Sequence, residues 1–315
     1  MSTDKDVVTV GETMAMFRAM SEGPISSTTL FEFGWGGAET NVAIGLKRLG
    51  IQTTWVSALG DDIFGDTILR ALETEGVRVE ATTDSENPTG LMVKIPIRGE
   101  DPVVRYFRSG SAASALDFTA QVEDALSQAR WIHLTGIFPA LSETTRNTAH
   151  EIVDYAVMHS IPYSFDINYR PQLWSRQDAR STLLALASDA AIVFGGLSEL
   201  EILVGAHSSI EDSLTAVSDL GPGEVVAKLG SDGALALVGD RFLSAPAHPV
   251  DVVDTVGAGD AFVAGYLSQR LRHENPERAL LRGTLCGAAA CSKPGDWEGA
   301  PLLSDIVRLE TAVLV

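Results

Sequence analysis

Strand-like and helix-like segments alternate along most of this chain, and that alternation constrains its fold more than any other feature. Extended character runs over residues 7–11, 53–59, 131–135, 163–167, 190–194, 224–229 and 234–238. Helical periodicity runs over 40–49, 66–75, 143–159, 176–188, 211–220, 261–272 and 276–291. Repeated βα units of this kind predict an α/β, doubly wound, mostly parallel sheet with helices on both faces. Ligands on such sheets bind at the carboxyl ends of the strands. Two stretches break the rhythm. Residues 13–33 carry no helical pattern after the first strand. Residues 89–107 hold extended segments at 91–97 and 103–107, joined by a turn at Arg98-Gly99-Glu100-Asp101-Pro102. A few antiparallel strands inserted into an α/β domain predict a small β-sheet lid over the ligand crevice. Its segments are expected near 13–35 and 89–109 of one domain spanning 1–315.

Charge and cysteine content narrow the function classes. The chain has 23 Lys and Arg against 42 Asp and Glu, a net −19. Duplex nucleic acid and anionic membranes both call for a basic face, so neither is an expected partner. A small anionic substrate stays open, because a few local arginines outweigh a global field. The pair Cys286 and Cys291 is too small a set for a disulfide framework or a cysteine-based zinc site. No apolar run approaches the length of a membrane span, and residues 1–8 lack an apolar signal core. A reducing cytoplasm fits these features.

Chemistry concentrates in five places. Asp254-Thr255-Val256-Gly257-Ala258-Gly259-Asp260 runs straight into an apolar helical pattern. Small residues at a helix start leave backbone amides free for phosphate, and the helix dipole favours that charge. Asp260 then lies beside the anion pocket, either as a base for an attacking hydroxyl or as a simple helix cap. Gly34-Trp35-Gly36-Gly37-Ala38-Glu39-Thr40-Asn41 lets backbone pass close to a ligand. There Asn41 offers a donor and an acceptor to sugar hydroxyls, unless it packs locally. In Arg105-Tyr106-Phe107-Arg108, strand periodicity puts Tyr106 and Arg108 on one face. A phenol beside a guanidinium suits a hydroxylated carboxylate, although solvated edge arginines explain the pattern too. Asp166-Ile167-Asn168-Tyr169-Arg170 ends a strand where such a sheet binds ligands. Arg170 suits a carboxylate or a transferring phosphoryl group, and Asp166 and Asn168 suit Mg²⁺ and its waters. Lys228-Leu229-Gly230-Ser231-Asp232-Gly233 makes a glycine turn at the same sheet edge, which is also compatible with a plain hairpin. Neither a Gly-x-x-x-x-Gly-Lys-[Ser/Thr] loop nor a Gly-x-Gly-x-x-Gly after the first strand is present.

With those residues in view, the chain resembles the ribokinase-like (PfkB) carbohydrate kinase family. Gly36 to Ala43, continuing through Leu46-Lys47-Arg48-Leu49-Gly50, is similar to the family's N-terminal signature, and Asp254 to Asp260 to its C-terminal one. The resemblance implies Asp260 as catalytic base, Gly257, Ala258 and Gly259 as the anion hole, and Gly34, Gly36, Gly37 and Asn41 around the sugar. It implies ATP with Mg²⁺ as cofactors. Lys228, Gly230, Gly233 and Thr255 would face the nucleotide, with residues 283–292 flanking the adenine. Ser198 stands where the family often carries Asn, with Glu201 as the acidic partner linked to Mg²⁺. Family members often bind K⁺ near the strand before the anion hole, which here implicates Asp251 and the Val253 carbonyl.

Within the family, Tyr106 to Ser114 and Asp166 to Arg170 with Leu173-Trp174 resemble 2-keto-3-deoxygluconate kinases. In that reading Tyr106, Arg108 and Arg170 hold the open-chain sugar acid and its C6 hydroxyl receives the phosphoryl group. A neutral-sugar kinase such as a fructokinase shares parts of these motifs. A catalytically silent sugar-acid sensor on the same scaffold is the competitor from another class. Exposed lid edges also predict a homo-oligomer formed through the lid.

Overall fold

The computed structural model describes residues 6–97 and 100–313. In chain order its strands are β1 (Asp6–Val10), β2 (Met14–Ala19), β3 (Phe31–Gly36), β4 (Thr53–Gly60), β5 (Arg78–Asp84), β6 (Leu91–Ile97) and β7 (Glu100–Phe107). They continue with β8 (Ala129–Thr135), β9 (Tyr163–Asp166), β10 (Ile192–Gly196), β11 (Glu224–Lys228), β12 (Ala234–Val238) and β13 (Arg241–Ala245). Nine of them form one sheet in the order β13-β12-β11-β10-β9-β8-β1-β4-β5. From β5 to β11 every neighbouring pair is parallel, and β12 and β13 close one edge as antiparallel strands. This is the doubly wound, mostly parallel sheet that the βα alternation predicts.

Burial on both faces follows from strand periodicity. In β11, Val225 and Ala227 enter a core with Phe165, Ile167 and Leu183. Between them Val226 points the other way, to Phe194, Phe262 and Tyr266. A central strand covered by helices on both sides therefore reads as a continuous apolar run rather than an alternating one. In the second core Phe194 packs edge-on to Phe262 and to Tyr266, 5.4 Å from the latter.

The second sheet has four strands in the order β3-β2-β6-β7. It comes from the two stretches that break the βα rhythm. Arg98 and Gly99, the centre of the expected turn there, lie outside the described residues. One face of this sheet carries Met16, Met92, Lys94, Val104 and Tyr106 onto a cleft at the carboxyl ends of the large sheet's strands. On its opposite face Phe17 and Phe33, register partners, pack 5.6 Å apart. Several elements carried little sequence signal: β5, β13 and the helices Ala120–Ser127, Leu197–Val204 and Leu303–Val313. The first of these is a polar edge strand, Arg78-Val79-Glu80-Ala81-Thr82-Thr83-Asp84, with no clean alternation.

Candidate active site

The helix Ala258–Arg270 starts without a side-chain cap. Most helix starts here are closed by a side chain, as Asp62 closes the helix Ile63–Thr74 by accepting from the Phe64 and Gly65 amides at 2.9 Å. Its N-cap is Gly257, with φ 74° and ψ −6°. That left-handed turn excludes other residues cheaply, and a Cβ there would lie 1.7 Å from the Asp296 carbonyl oxygen. The uncapped first turn leaves amides and the positive dipole end open toward the cleft.

Asp260 does not cap this helix. Its Oδ2 accepts from Asn41 Nδ2 at 2.8 Å, an interaction between the two halves of the chain. Burial pushes the Asp260 carboxyl up to about 6, with Asp166 adding to the rise while Asn41, Lys228 and Arg170 oppose it. Such a value suits a proton acceptor near neutral pH. The expected sugar contact Asn41 thus serves first as the partner of Asp260, while its own Oδ1 is buried without a hydrogen bond.

Two cavities converge on this turn. The first, of about 420 Å³, is lined by Asp260, Asp296, Asn168, Arg170, Glu199 and Lys228 with the inner face of the small sheet. A second, of about 530 Å³ and mostly apolar, is lined by Gly230, Gly233, Val252, Thr284, Gly287 and Ala288, among others. Lys228, Thr255 and Gly259 line both. A long two-part ligand therefore fits with its junction at the helix start.

Lys228 reaches that junction from the end of β11. Its Nζ donates to both Asp166 oxygens, at 2.8 and 2.6 Å. Burial works against the ammonium, but Asp166, Glu199 and Asp260 outweigh it and hold its pKa above the ordinary lysine value. Removing Lys228 would leave Asp166 charged and buried, which costs about 3–5 kcal/mol.

Residues 4–302 match the pfkB family of carbohydrate kinases. The chain belongs to that family. The kinase is a phosphotransferase acting on a sugar hydroxyl, as its two signatures imply. It is 39% identical to the 2-dehydro-3-deoxygluconokinase of Bacillus subtilis over 94% of this chain and 92% of that protein. Identity to the 2-dehydro-3-deoxygalactonokinase of Haloferax volcanii is 32%, covering 92% of each. A fructokinase of Salmonella typhimurium is also 32% identical, over 87% of this chain and 91% of that one. Among solved structures, a PfkB protein from Polaromonas superposes with a TM-score of 0.87 at 35% identity, covering 96% of this chain and 99% of the other.

Several expected site residues take different positions in the kinase. Asp166 is buried as the counter-ion of Lys228, so it does not present a bare carboxylate to Mg²⁺. Asn168, at φ 38°, does line the cleft. The acidic residue of the helix Leu197–Val204 that faces the cleft is Glu199, not Glu201. It accepts from the Tyr169 and Gly196 amides at 2.8 and 2.7 Å. Ser198 is exposed and offers only its carbonyl, to Arg176. Arg108 is buried against Glu12, with Nε 2.6 Å from Oε2, and its guanidinium carbon lies 5.6 Å from the Tyr106 ring centre. It lines a neighbouring cavity with Arg105, Tyr106 and Leu141 instead of the cleft that holds Asp260. Arg170, by contrast, is exposed in the central cleft.

The glycine stretch divides. A Cβ on Gly36 would strike the Asp296 carboxylate, and one on Gly37 the Glu12 carbonyl, whereas Gly34 lines a separate crevice with Arg18 and Lys293. Asp251 is exposed and the Val253 side chain is 59% exposed. Among the described residues no cluster of three His, Cys, Asp or Glu is placed to hold a metal. Glu12, Lys94, Glu199 and Asp296 were not singled out by sequence reasoning. The tight glycines next to Asp296 were the available signal for that residue, since they mark backbone packed closely on a neighbour.

Proposed function

We propose that this kinase transfers the γ-phosphoryl group of ATP to the C6 hydroxyl of 2-keto-3-deoxygluconate. The observation that carries the reading is the placement of Asp260. Its carboxylate, fixed by Asn41, stands at the uncapped helix start where the two cavities meet. In this reading the mostly apolar cavity takes the nucleotide, with Gly230 and Gly233 near the phosphates and residues of the helix Pro276–Cys291 against the base. The sugar acid lies in the cleft under the small sheet, which acts as a lid and keeps water away from the phosphoryl group.

Asp260 accepts the proton of the C6 hydroxyl as that oxygen attacks phosphorus. The bond from the γ-phosphorus to the bridging oxygen breaks, and ADP leaves. Charge growing on the phosphoryl oxygens is met by the amides of Gly257 and Gly259 and by the Lys228 ammonium, while the Ala258 amide donates to the Thr255 carbonyl at 3.3 Å. Mg²⁺ prefers a few carboxylates plus phosphate oxygens and waters, which suits Asn168 and Glu199 at the cleft wall, and when bound it neutralises phosphate charge. No step is assigned to K⁺.

Arg170 is the free guanidinium for the substrate carboxylate. Arg108 backs Tyr106 and keeps N–H donors that Glu12 does not use. The identity to sugar-acid kinases of two epimeric substrates supports an acid substrate, and the identity to a fructokinase keeps a neutral sugar as the second reading. Arg170→Ala separates them. An acid substrate loses a charge-assisted pair, so KM for it should rise about tenfold to a hundredfold. An unchanged KM for the acid would contradict the assignment of Arg170. The free thiols suit a cytoplasmic protein, and the apolar outer face of the lid suits pairing with a second copy of the chain.

A further inference from the structure

We infer that Lys94 is a positioning residue for phosphoryl transfer. From the small sheet it clamps Asp254, so that seating the sheet over the cleft and shaping the anion hole become one event. The inference rests on the kinase reading and extends it to a residue outside the signatures.

Lys94 is the one charged residue of β6, Leu91-Met92-Val93-Lys94-Ile95-Pro96-Ile97. Its side chain is 5% exposed and lies among Met16, Met92 and Val104 on the cleft face. Lysine is almost never buried unless paired, and this one is paired across the cleft. Nζ donates to Asp254 Oδ2 at 2.6 Å, and the Asp254 side chain is 11% exposed. The same carboxylate organises two loops. Oδ1 accepts from the Val256 amide at 3.1 Å, and Oδ2 accepts from the Gly295 amide at 3.3 Å. The first loop runs directly into Gly257. The second carries Asp296, whose carbonyl packs on the Gly257 Cα. Asp254 therefore holds both sides of the turn from which the anion-hole amides project, and Lys94 fixes Asp254 from the lid.

Packing alone does not account for a lysine here. A methionine would match its neighbours, and apolar replacement of a buried ion pair is often neutral or stabilising. A pair joining the small sheet to the turn before the helix Ala258–Arg270 instead ties the position of that sheet to the geometry of the turn. Misplacing a catalytic group by about an ångström can cost two orders of magnitude in rate.

The test is a double-mutant cycle with Lys94→Met, Asp254→Asn and the combination, read as kcat and the two KM values in the full-length kinase, with Lys94→Arg alongside. Each single change should lower kcat about tenfold or more, leave KM for ATP within about twofold, and add little to the other, because both remove one interaction. Lys94→Arg, which keeps the charge, should recover most of the loss. A kcat of Lys94→Met within about twofold of wild type, or fully additive losses, would overturn the inference. If Lys94→Met does not fold, Asp254→Asn against Lys94→Arg supplies the same reading. A wild-type protein with no turnover on any sugar would instead sink the kinase reading itself, so the two failures are distinct.

Discussion

In the proposed mechanism Asp260 concentrates the chemistry in one carboxylate whose environment is set by burial and by Asn41. A general base works only when ionised. With its pKa raised to about 6, Asp260 loses its ability to accept a proton as the pH falls through that value. Turnover is therefore expected to be level above about pH 7 and to fall about tenfold per unit well below pH 6, as a pH–rate profile of kcat/KM would report. Asp260→Asn keeps the size and the neighbouring donor but removes the base, and kcat should drop about a hundredfold to ten-thousandfold with ATP affinity retained. A variant with near wild-type kcat would remove Asp260 from the reaction. The open helix start was legible in the sequence here because small residues at 257–259 run straight into an apolar helical pattern. The pairings were not: a sequence gives no sign that Arg108 is engaged by Glu12, or Asp166 by Lys228, because those partners lie 96 and 62 positions apart.

At the scale of elements, the proposed working unit is the turn 254–257 with the helix behind it. Gly257→Ala tests it. The left-handed φ and the Asp296 carbonyl, 1.7 Å from the new Cβ, force the turn to move. A destabilisation of about 1–3 kcal/mol is expected from the strain, with a fall in kcat far larger than any change in KM. Thermal unfolding and steady-state kinetics on the same preparation would check both. Wild-type stability with wild-type kcat would mean that the turn is not a fixed anion hole. Elements with strong periodicity, such as the helix Glu143–Met158, coincide with their sequence signal to within a residue. The helix Leu197–Val204 does not stand out, because eight residues hold barely two turns of pattern. The expectation for Glu201 rests on the spacing from Ser198 that the family resemblance implies, whereas the side chain lining the cleft is Glu199.

The whole molecule is two sheets with the cleft between them, and its outer surface carries a further consequence. Met20, Leu30, Phe31, Phe33, Val103 and Phe107 are exposed on the small sheet and its connections, Phe107 by 65%. Exposed apolar side chains on the lid suit an association site, and the proposed pairing of two lids would cover them in both copies. Sedimentation analysis should therefore find a dimer, and Phe107→Glu should shift it toward monomer. A wild-type monomer at micromolar concentration would exclude that arrangement. The large sheet was legible from βα alternation alone, while the lid was legible only as an interruption of it. The proposed substrate rests on a few side chains of the cleft, Arg170 above all. The most direct test is a coupled ADP-release assay with ATP and Mg²⁺ against 2-keto-3-deoxygluconate, its galactonate epimer, fructose, ribose and adenosine. Turnover confined to the keto-deoxy acids is the expected result. Turnover on fructose or ribose with none on the acids would contradict the substrate assignment while leaving Asp260 and the anion hole in place.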